Sequence, residues 1–333
     1  MSHTKGWLTG KFAPLHAGHI NLIQQAATQC DELTVVMSHS AKRFDDPKLE
    51  LKNRLIWLRQ AFRDLPHIKV VWIDETDIPE YPNGWAEWAQ LVKNKIGDDF
   101  DYVFTSELND IGGYHQHFNI KMVKVIDAGR LMVPISGTEI RNNPKKHWGM
   151  MTSGVRQQYL KKVCICGQES TGKSTLTKYL AKFFQTSWVE EYGRTFCEVD
   201  LCGDEFLLRF NDYGLIAARR YEMELQAARV ANRVMFADTN AVVTNYFCRL
   251  YEGEKNHLVS CYEDLEEYDM ILFLEADVKW VDDGLRRNPH TERNNSLQLD
   301  ALIERYGEKK IIRIGGNYHQ RMMTAIAAVQ EII

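Results

Sequence analysis

Two groups of residues in this 333-residue sequence have the types and spacing to handle phosphate. The first begins at Gly10-Lys11-Phe12-Ala13-Pro14-Leu15-His16-Ala17-Gly18-His19, where two histidines flank an Ala-Gly pair at the start of a helical pattern. A helix N-terminus offers unpaired N–H groups and the positive end of a dipole, so it attracts phosphate. Gly18 clears the side chain from the place where phosphate must approach the backbone. The imidazoles of His16 and His19 can donate hydrogen bonds to the same oxygens. Far along the chain, Ile135-Ser136-Gly137-Thr138-Glu139-Ile140-Arg141 opens a second short helix. Ser136 or Thr138 can cap it, and Arg141, one turn on, offers a two-pronged donor to an anion. Taken singly, each string also reads as ordinary structure, with histidines beside a turn and a capped helix with a solvated arginine.

The second group is Gly167-Gln168-Glu169-Ser170-Thr171-Gly172-Lys173-Ser174-Thr175, which follows an apolar strand and starts a helix. This is GxxxxGK[ST] in the context it requires. The loop's N–H groups cradle phosphates, Lys173 reaches the terminal ones, and the Ser174 hydroxyl can ligate Mg²⁺. Val234 to Asp238 is an apolar strand ending in an acid, which makes Asp238 a second candidate for Mg²⁺. Glu190-Glu191-Tyr192-Gly193-Arg194 follows another strand, and Glu191 there can accept a substrate hydroxyl proton or hold ribose hydroxyls. Arg286, Arg287 and Arg293 lie in a polar stretch that suits a mobile arginine lid over a transferring phosphoryl group. Tyr81-Pro82-Asn83-Gly84-Trp85 is a shaped loop running into a helix that also carries Trp88. Either indole could stack on a cationic ring or simply fill a core.

The elements that must position these residues alternate along the whole chain. Strands are expected at 7–12, 33–37, 69–73, 102–105 and 121–126, with helices over 18–29, 49–62 and 85–95. Such alternation predicts an α/β fold with a parallel sheet covered on both faces. The pattern pauses at Asn142-Asn143-Pro144-Lys145-Lys146 and resumes at Val163. Two domains follow from this: residues 1–150, Rossmann-like, and 151–333, with a P-loop. Further strands are expected at 188–189, 234–237, 270–274 and 311–314. Residues 205–232 form the longest helical stretch, as one helix or two.

Bulk composition narrows the function. Hydrophobic residues make up 44% of the chain, enough for two cores, and the formal net charge is -4. That charge gives no general attraction to nucleic acid. Seven cysteines are scattered, and Cys164 and Cys166 alternate within an apolar strand, as small core residues do. No run reaches the roughly 18 apolar residues of a membrane span, and the first residues lack a signal-peptide core. The expectation is a cytoplasmic protein without membrane insertion. Homo-oligomerisation is left open.

HxGH after the first strand, with ISxTxxR after the last, resembles the nucleotidyltransferase superfamily. The resemblance implies that His16, His19 and Arg141, with Lys11 near by, hold ATP phosphates. Gly10, Phe12, Gly18, Ser136 and Thr138 would complete that ATP site. No side chain need act as nucleophile, because the substrate phosphate attacks directly. The YPNGW string, Thr105-Ser106-Glu107 and residues 134–148 look like the adenylyltransferase domain of NadR-type proteins. The Glu190 to Arg194 string, Asp238-Thr239 and Asp283-Gly284-Leu285-Arg286 look like their ribosylnicotinamide kinase domain. The family often has a second Asp two positions after Asp238, where this chain has Asn240.

The resemblance implies a bifunctional enzyme of NAD salvage. Nicotinamide riboside would be phosphorylated with MgATP at one site, and the mononucleotide joined to AMP from a second ATP at the other. Trp85 or Trp88 would stack on the nicotinamide, and Tyr192, Arg194 and Asn240 would bind the riboside. Gly167, Glu169, Ser170, Thr171, Gly172, Ser174 and Thr175 would hold ATP. Family members also carry an N-terminal helix-turn-helix, for which the six residues before the first strand leave no room, so specific DNA binding is not expected. The alternatives are a nucleotidyltransferase–kinase fusion from another coenzyme pathway, such as that of coenzyme A, or a nucleotide-sensing regulator.

Overall fold

The structure is a computed structural model that describes residues 3–80, 82–279 and 295–333. Its contacts divide the chain into two compact units, 1–158 and 159–333.

The first unit is a five-stranded parallel sheet. Its strands are β1 (Lys5–Gly10), β2 (Glu32–His39), β3 (Ile68–Asp74), β4 (Phe100–Thr105) and β5 (Ile120–Val125), in the order β3-β2-β1-β4-β5. Its helices are α1 (Ala17–Ala27), α2 (Leu51–Ala61), α3 (Trp85–Ile96), α4 (Ile111–His117) and α5 (Gly137–Asn142), and α6 (Ser153–Tyr159) leads out of it. β2 is buried almost throughout, as expected of a parallel strand covered on both faces. One face packs an aromatic core around the fully buried Trp7, whose ring lies 4.9 Å from Phe118, 5.7 Å from Tyr114 and 6.2 Å from Trp88.

The second unit repeats the plan. Strands β6 (Lys161–Gly167), β7 (Trp188–Val189), β8 (Val234–Asp238), β9 (Met270–Leu274) and β10 (Ile311–Ile314) pair in parallel in the order β10-β9-β6-β8-β7. Helices α7 (Lys173–Phe183), α8 (Tyr192–Val199), α9 (Phe210–Val230), α10 (Ala241–Glu252), α11 (His257–Leu265), α12 (Asn295–Tyr306) and α13 (Tyr318–Ile332) surround it. α9 is one helix of 21 residues, preceded by a short turn at Glu205–Leu207 whose Phe206 amide donates to Asp204. In each sheet the first strand is central, with neighbours on both sides reached by different crossovers. Ligands in such sheets bind at the strands' carboxyl ends, where the order reverses. The loops after β1 and β6 lie there, and they are the two phosphate-type strings. No helix among the described residues is long and apolar enough to cross a membrane.

Six of the eight tryptophans lie in the first unit, so tryptophan fluorescence mainly reports its unfolding. Trp7→Ala should destabilise this unit by about 3–5 kcal/mol, the usual cost of emptying a buried aromatic site. Urea unfolding of wild type and variant, followed by tryptophan fluorescence, checks this. A loss under about 1 kcal/mol would contradict the central placement of Trp7.

Candidate functional sites

In the first unit, Phe12 takes a left-handed backbone conformation (φ 46°) as the chain leaves β1. That turn folds its buried ring back over Gly10, where a Cβ would sit 2.9 Å from it, and sets it 4.9 Å from His19. Phe12 is therefore a wall of the site, and Gly10 is the space it needs. His16 is the N-cap of α1 but makes no capping bond with its side chain. Its ring stacks on His19 at 3.6 Å. A Cβ at Gly18 would press on the His16 ring at 3.1 Å, so the small residue inside HAGH makes room for a histidine. The Nδ1 atoms of both histidines are buried without a hydrogen-bond partner. Burial, with repulsion from Arg130, lowers His16 to about 4. Burial, then His16 and Arg130, holds His19 well below its ordinary value. Both rings are neutral near pH 7 and have polar atoms to offer a ligand.

Ser136 caps α5 in a reciprocal box with Glu139, so of the two candidate caps it is Ser136 that serves. Thr138 instead accepts from Arg141 Nη2 at 2.9 Å, while Nη1 donates to the Ala13 carbonyl. Arg141 thus ties the ISGTEIR helix to the HAGH loop. Gly137 is required at this junction, because a Cβ there would lie 2.7 Å from the Ala13 oxygen. Lys11 keeps its side chain largely in solvent, yet partial burial, followed by repulsion from Arg43 and Arg141, lowers its amine.

Two participants escaped the sequence reading. Arg54 is almost fully buried and donates to the carbonyls of Lys11 (2.7 Å) and Ser38 (3.2 Å) and meets His39 Nδ1 (2.8 Å). It fixes the loop that carries Lys11. Its signal was an arginine at a core position, since Arg54, Trp57 and Leu58 form the buried face of α2. Phe44 lies between the Arg54 and Arg141 guanidiniums, at 5.7 and 5.2 Å.

The two tryptophan candidates are both half-buried against the aromatic core. Trp88 packs on Trp7 and Phe118. Trp85 lies over Gly113, where a Cβ would meet its ring at 2.5 Å, and runs parallel to His117 at 6.0 Å.

In the second unit, Gly167 (φ 139°), Ser170 (φ 57°) and Gly172 (φ 87°) take left-handed conformations that curl the loop between β6 and α7. A Cβ at Gly167 would lie 2.5 Å from the Leu274 oxygen. Thr171 Oγ1 donates to the Gln168 carbonyl at 2.8 Å, and buried Lys173 reaches the same oxygen at 3.1 Å. Lys173 is thus folded back over its own loop, where a phosphate would sit. Thr175 is exposed on α7, and the buried hydroxyl of the first turns is that of Thr177, which donates to the Lys173 carbonyl. Glu169, Glu191, Arg194, Tyr213, Thr239, Phe247 and Tyr251 line a cavity of about 780 Å³, including the part open to solvent. Tyr192 is not among its walls and packs on Phe196 instead.

Asp238 is buried, with Oδ1 lacking any hydrogen-bond partner while the carboxyl accepts from Ser174. Burial, then the nearby Glu191, pushes it up to about 7 against the pull of Lys173. An orphaned carboxylate oxygen beside a P-loop serine fits Mg²⁺, which takes few protein oxygens and keeps waters and phosphate oxygens for the rest. Asn240 is fully buried, its Oδ1 caps α10 through the Val243 amide at 3.0 Å, and its Nδ2 meets Tyr306 at 3.5 Å, so both ends of the amide make contacts within the fold. Arg286, Arg287 and Arg293 lie outside the described residues.

The fold and sites define a nucleotidyltransferase-type unit followed by a P-loop unit. Residues 7–143 match the cytidylyltransferase-like family, and residues 162–321 match the AAA domain family. The trifunctional NAD biosynthesis/regulator protein NadR of Escherichia coli is 35% identical over 99% of this chain and 83% of its own length. A crystal structure of NadR protein in complex with NR superposes with a TM-score of 0.83 at 27% identity, over 100% of this chain and 97% of that one. Another, in complex with NAD and AMP-PNP, gives 0.81 at 28% identity, over 99% and 96%. The chain belongs to the NadR family.

The histidine environment sets a pH dependence. His16 and His19 take up protons near 6.5 when unfolded but resist them when folded, so acid favours the unfolded chain. The first unit should therefore lose stability as pH falls from about 6.5 towards 4, and should draw no such dependence from these rings above about 7. Urea melts at a series of pH values, on wild type and His16→Gln, measure it. An unchanged slope in the variant would contradict the burial of the ring.

Proposed function

We propose that the two sites carry out consecutive steps of NAD synthesis from nicotinamide riboside. The observation that carries this reading is the pairing of two built phosphate sites, one of buried imidazoles flanked by cations, one of P-loop form, in a chain of the NadR family. In the second unit, ATP phosphates would lie on the Gly167–Gly172 amides with Lys173 on the terminal phosphates. Asp238 and Ser174 would hold Mg²⁺, which supplies neutralisation of the developing phosphate charge. The riboside would occupy the neighbouring cavity, where Glu191, one of its walls, would accept the 5′-hydroxyl proton as that oxygen attacks the terminal phosphorus and ADP leaves. The product is the mononucleotide.

In the first unit, the mononucleotide phosphate would attack the α-phosphorus of a second ATP and expel pyrophosphate. No side chain forms a bond. His16 and His19, both neutral, donate hydrogen bonds at the start of α1, while Lys11 and Arg141 stabilise the charge that builds on the leaving group. Trp85 is the proposed partner of the nicotinamide ring, having one face on His117 and its edge on Gly113.

Incubating the full chain with nicotinamide riboside and MgATP should give the mononucleotide and then NAD. Lys173→Ala should abolish riboside phosphorylation and leave adenylylation of supplied mononucleotide intact. His19→Ala should do the reverse, lowering adenylylation kcat by about 10² to 10³. Equal loss of both activities in either folded variant would contradict two separate sites.

A further inference from the structure

A charged network lies directly under the kinase site, and no step described above uses it. Arg220 on α9 is 1% exposed, and its partners Glu224 and Glu266 are equally buried. Its Nη1 donates to the Thr239 carbonyl at 3.1 Å. Its Nη2 meets Glu266, Glu224 (3.3 Å) and the Tyr268 hydroxyl (3.0 Å). Tyr268 donates to Glu224 at 2.6 Å, and Lys162 Nζ does so at 3.0 Å. Two cations thus face two carboxylates. The other oxygen of Glu266 accepts from the Ala241 amide at 2.8 Å. The Arg220–Glu266 pair therefore grips the backbone on both sides of Asn240.

The gripped segment is strained. Thr239 has φ 66°, a left-handed conformation that β-branched residues avoid, at a cost of about 1–3 kcal/mol. Its N–H donates to Ile165 of β6 at 3.0 Å, and its carbonyl also accepts from the Cys164 thiol at 3.1 Å. The residue before it is Asp238. A relaxed Thr239 would redirect the chain between the end of β8 and the start of α10. The Asp238 carboxyl, held beside Ser174, would move with it.

Buried ion pairs of this kind seldom add net stability, because desolvation offsets their attraction, and apolar replacements often fold as well or better. What this one supplies is a fixed backbone path beside the riboside cavity, which Arg220 and Thr239 also line. We propose that Arg220, paired with Glu266, is a positioning residue for phosphoryl transfer: it holds Thr239 in its left-handed conformation and so aims Asp238 at the P-loop. This rests on reading the second unit as the riboside kinase. Failure of that reading is visible separately, as a wild-type chain that phosphorylates no riboside.

The test is a cycle in the full-length chain of wild type, Arg220→Lys, Thr239→Gly and the double variant. Lysine keeps the charge but cannot bridge Thr239 and Glu266 together. Arg220→Lys should lower kcat for the riboside by about 100-fold, as small misplacements of reacting groups do. Calorimetric binding of a non-hydrolysable ATP analogue should stay within about threefold, because the P-loop is not gripped by Arg220. Glycine adopts the left-handed conformation without strain. In the Thr239→Gly background, the same lysine substitution should therefore cost under about 10-fold. Full activity in Arg220→Lys, or the same loss in both backgrounds, overturns the proposal. Should Arg220→Lys melt below assay temperature, Glu266→Gln enters the same cycle with the same two outcomes.

Discussion

A helix that begins just after a central parallel strand leaves its first N–H groups pointing out of the sheet's carboxyl edge, and both sites depend on that. α1 follows β1, and α7 follows β6. Neither spends a side chain on its N-cap: His16 and Gly172 make no capping bond. By contrast, α5 and α10 are closed by Ser136 and Asn240. Uncapped amides at a buried strand end need an acceptor, and a phosphate supplies one. The tight turns that lead into these helices explain the local residue choices. Phe12 and Gly10 form one, and Ser170 and Gly172 form the other.

The two sites handle charge differently. The first surrounds phosphate with two neutral, desolvated imidazoles and with the cations Lys11 and Arg141. Burial lowers the pKa of both histidines, and their partnerless ring nitrogens face the site as polar groups. The second keeps a buried lysine and a buried aspartate within one loop's reach of each other. Asp238 lies high because it is buried and Glu191 is near. A divalent cation would reverse that balance, drawing the carboxyl to its ionised form.

Much of this was legible in the sequence because the informative signals are local. HAGH, ISGTEIR and GQESTGKST each combine a strand end, a turn and a helix start within about ten residues. The strand–helix alternation gave two parallel sheets for the same reason. What escaped depends on distant partners. Arg220 looks like a surface charge on its helix until the loop it holds is folded against it, and Arg54, though on the apolar face of α2, shows no partner until the Lys11 and Ser38 carbonyls are in place. The capping role of Asn240 also escaped, because it appears only once α10 starts one residue later and its Val243 amide reaches the side chain. Trp85 and Trp88 read equally as core or stacking residues, and the structure packs Trp88 on Trp7, Tyr114 and Phe118 and Trp85 on Tyr114 and His117.

The central claim is that two complete and independent nucleotide sites share this chain. The most direct measurement mixes the Lys173→Ala and His19→Ala chains and supplies nicotinamide riboside with MgATP. Each chain alone should make little or no NAD. The mixture should make it, because the mononucleotide released by the intact kinase sites reaches the intact adenylyltransferase sites through solution. A mixture that stays as inactive as its components, while wild type turns over, would contradict the account.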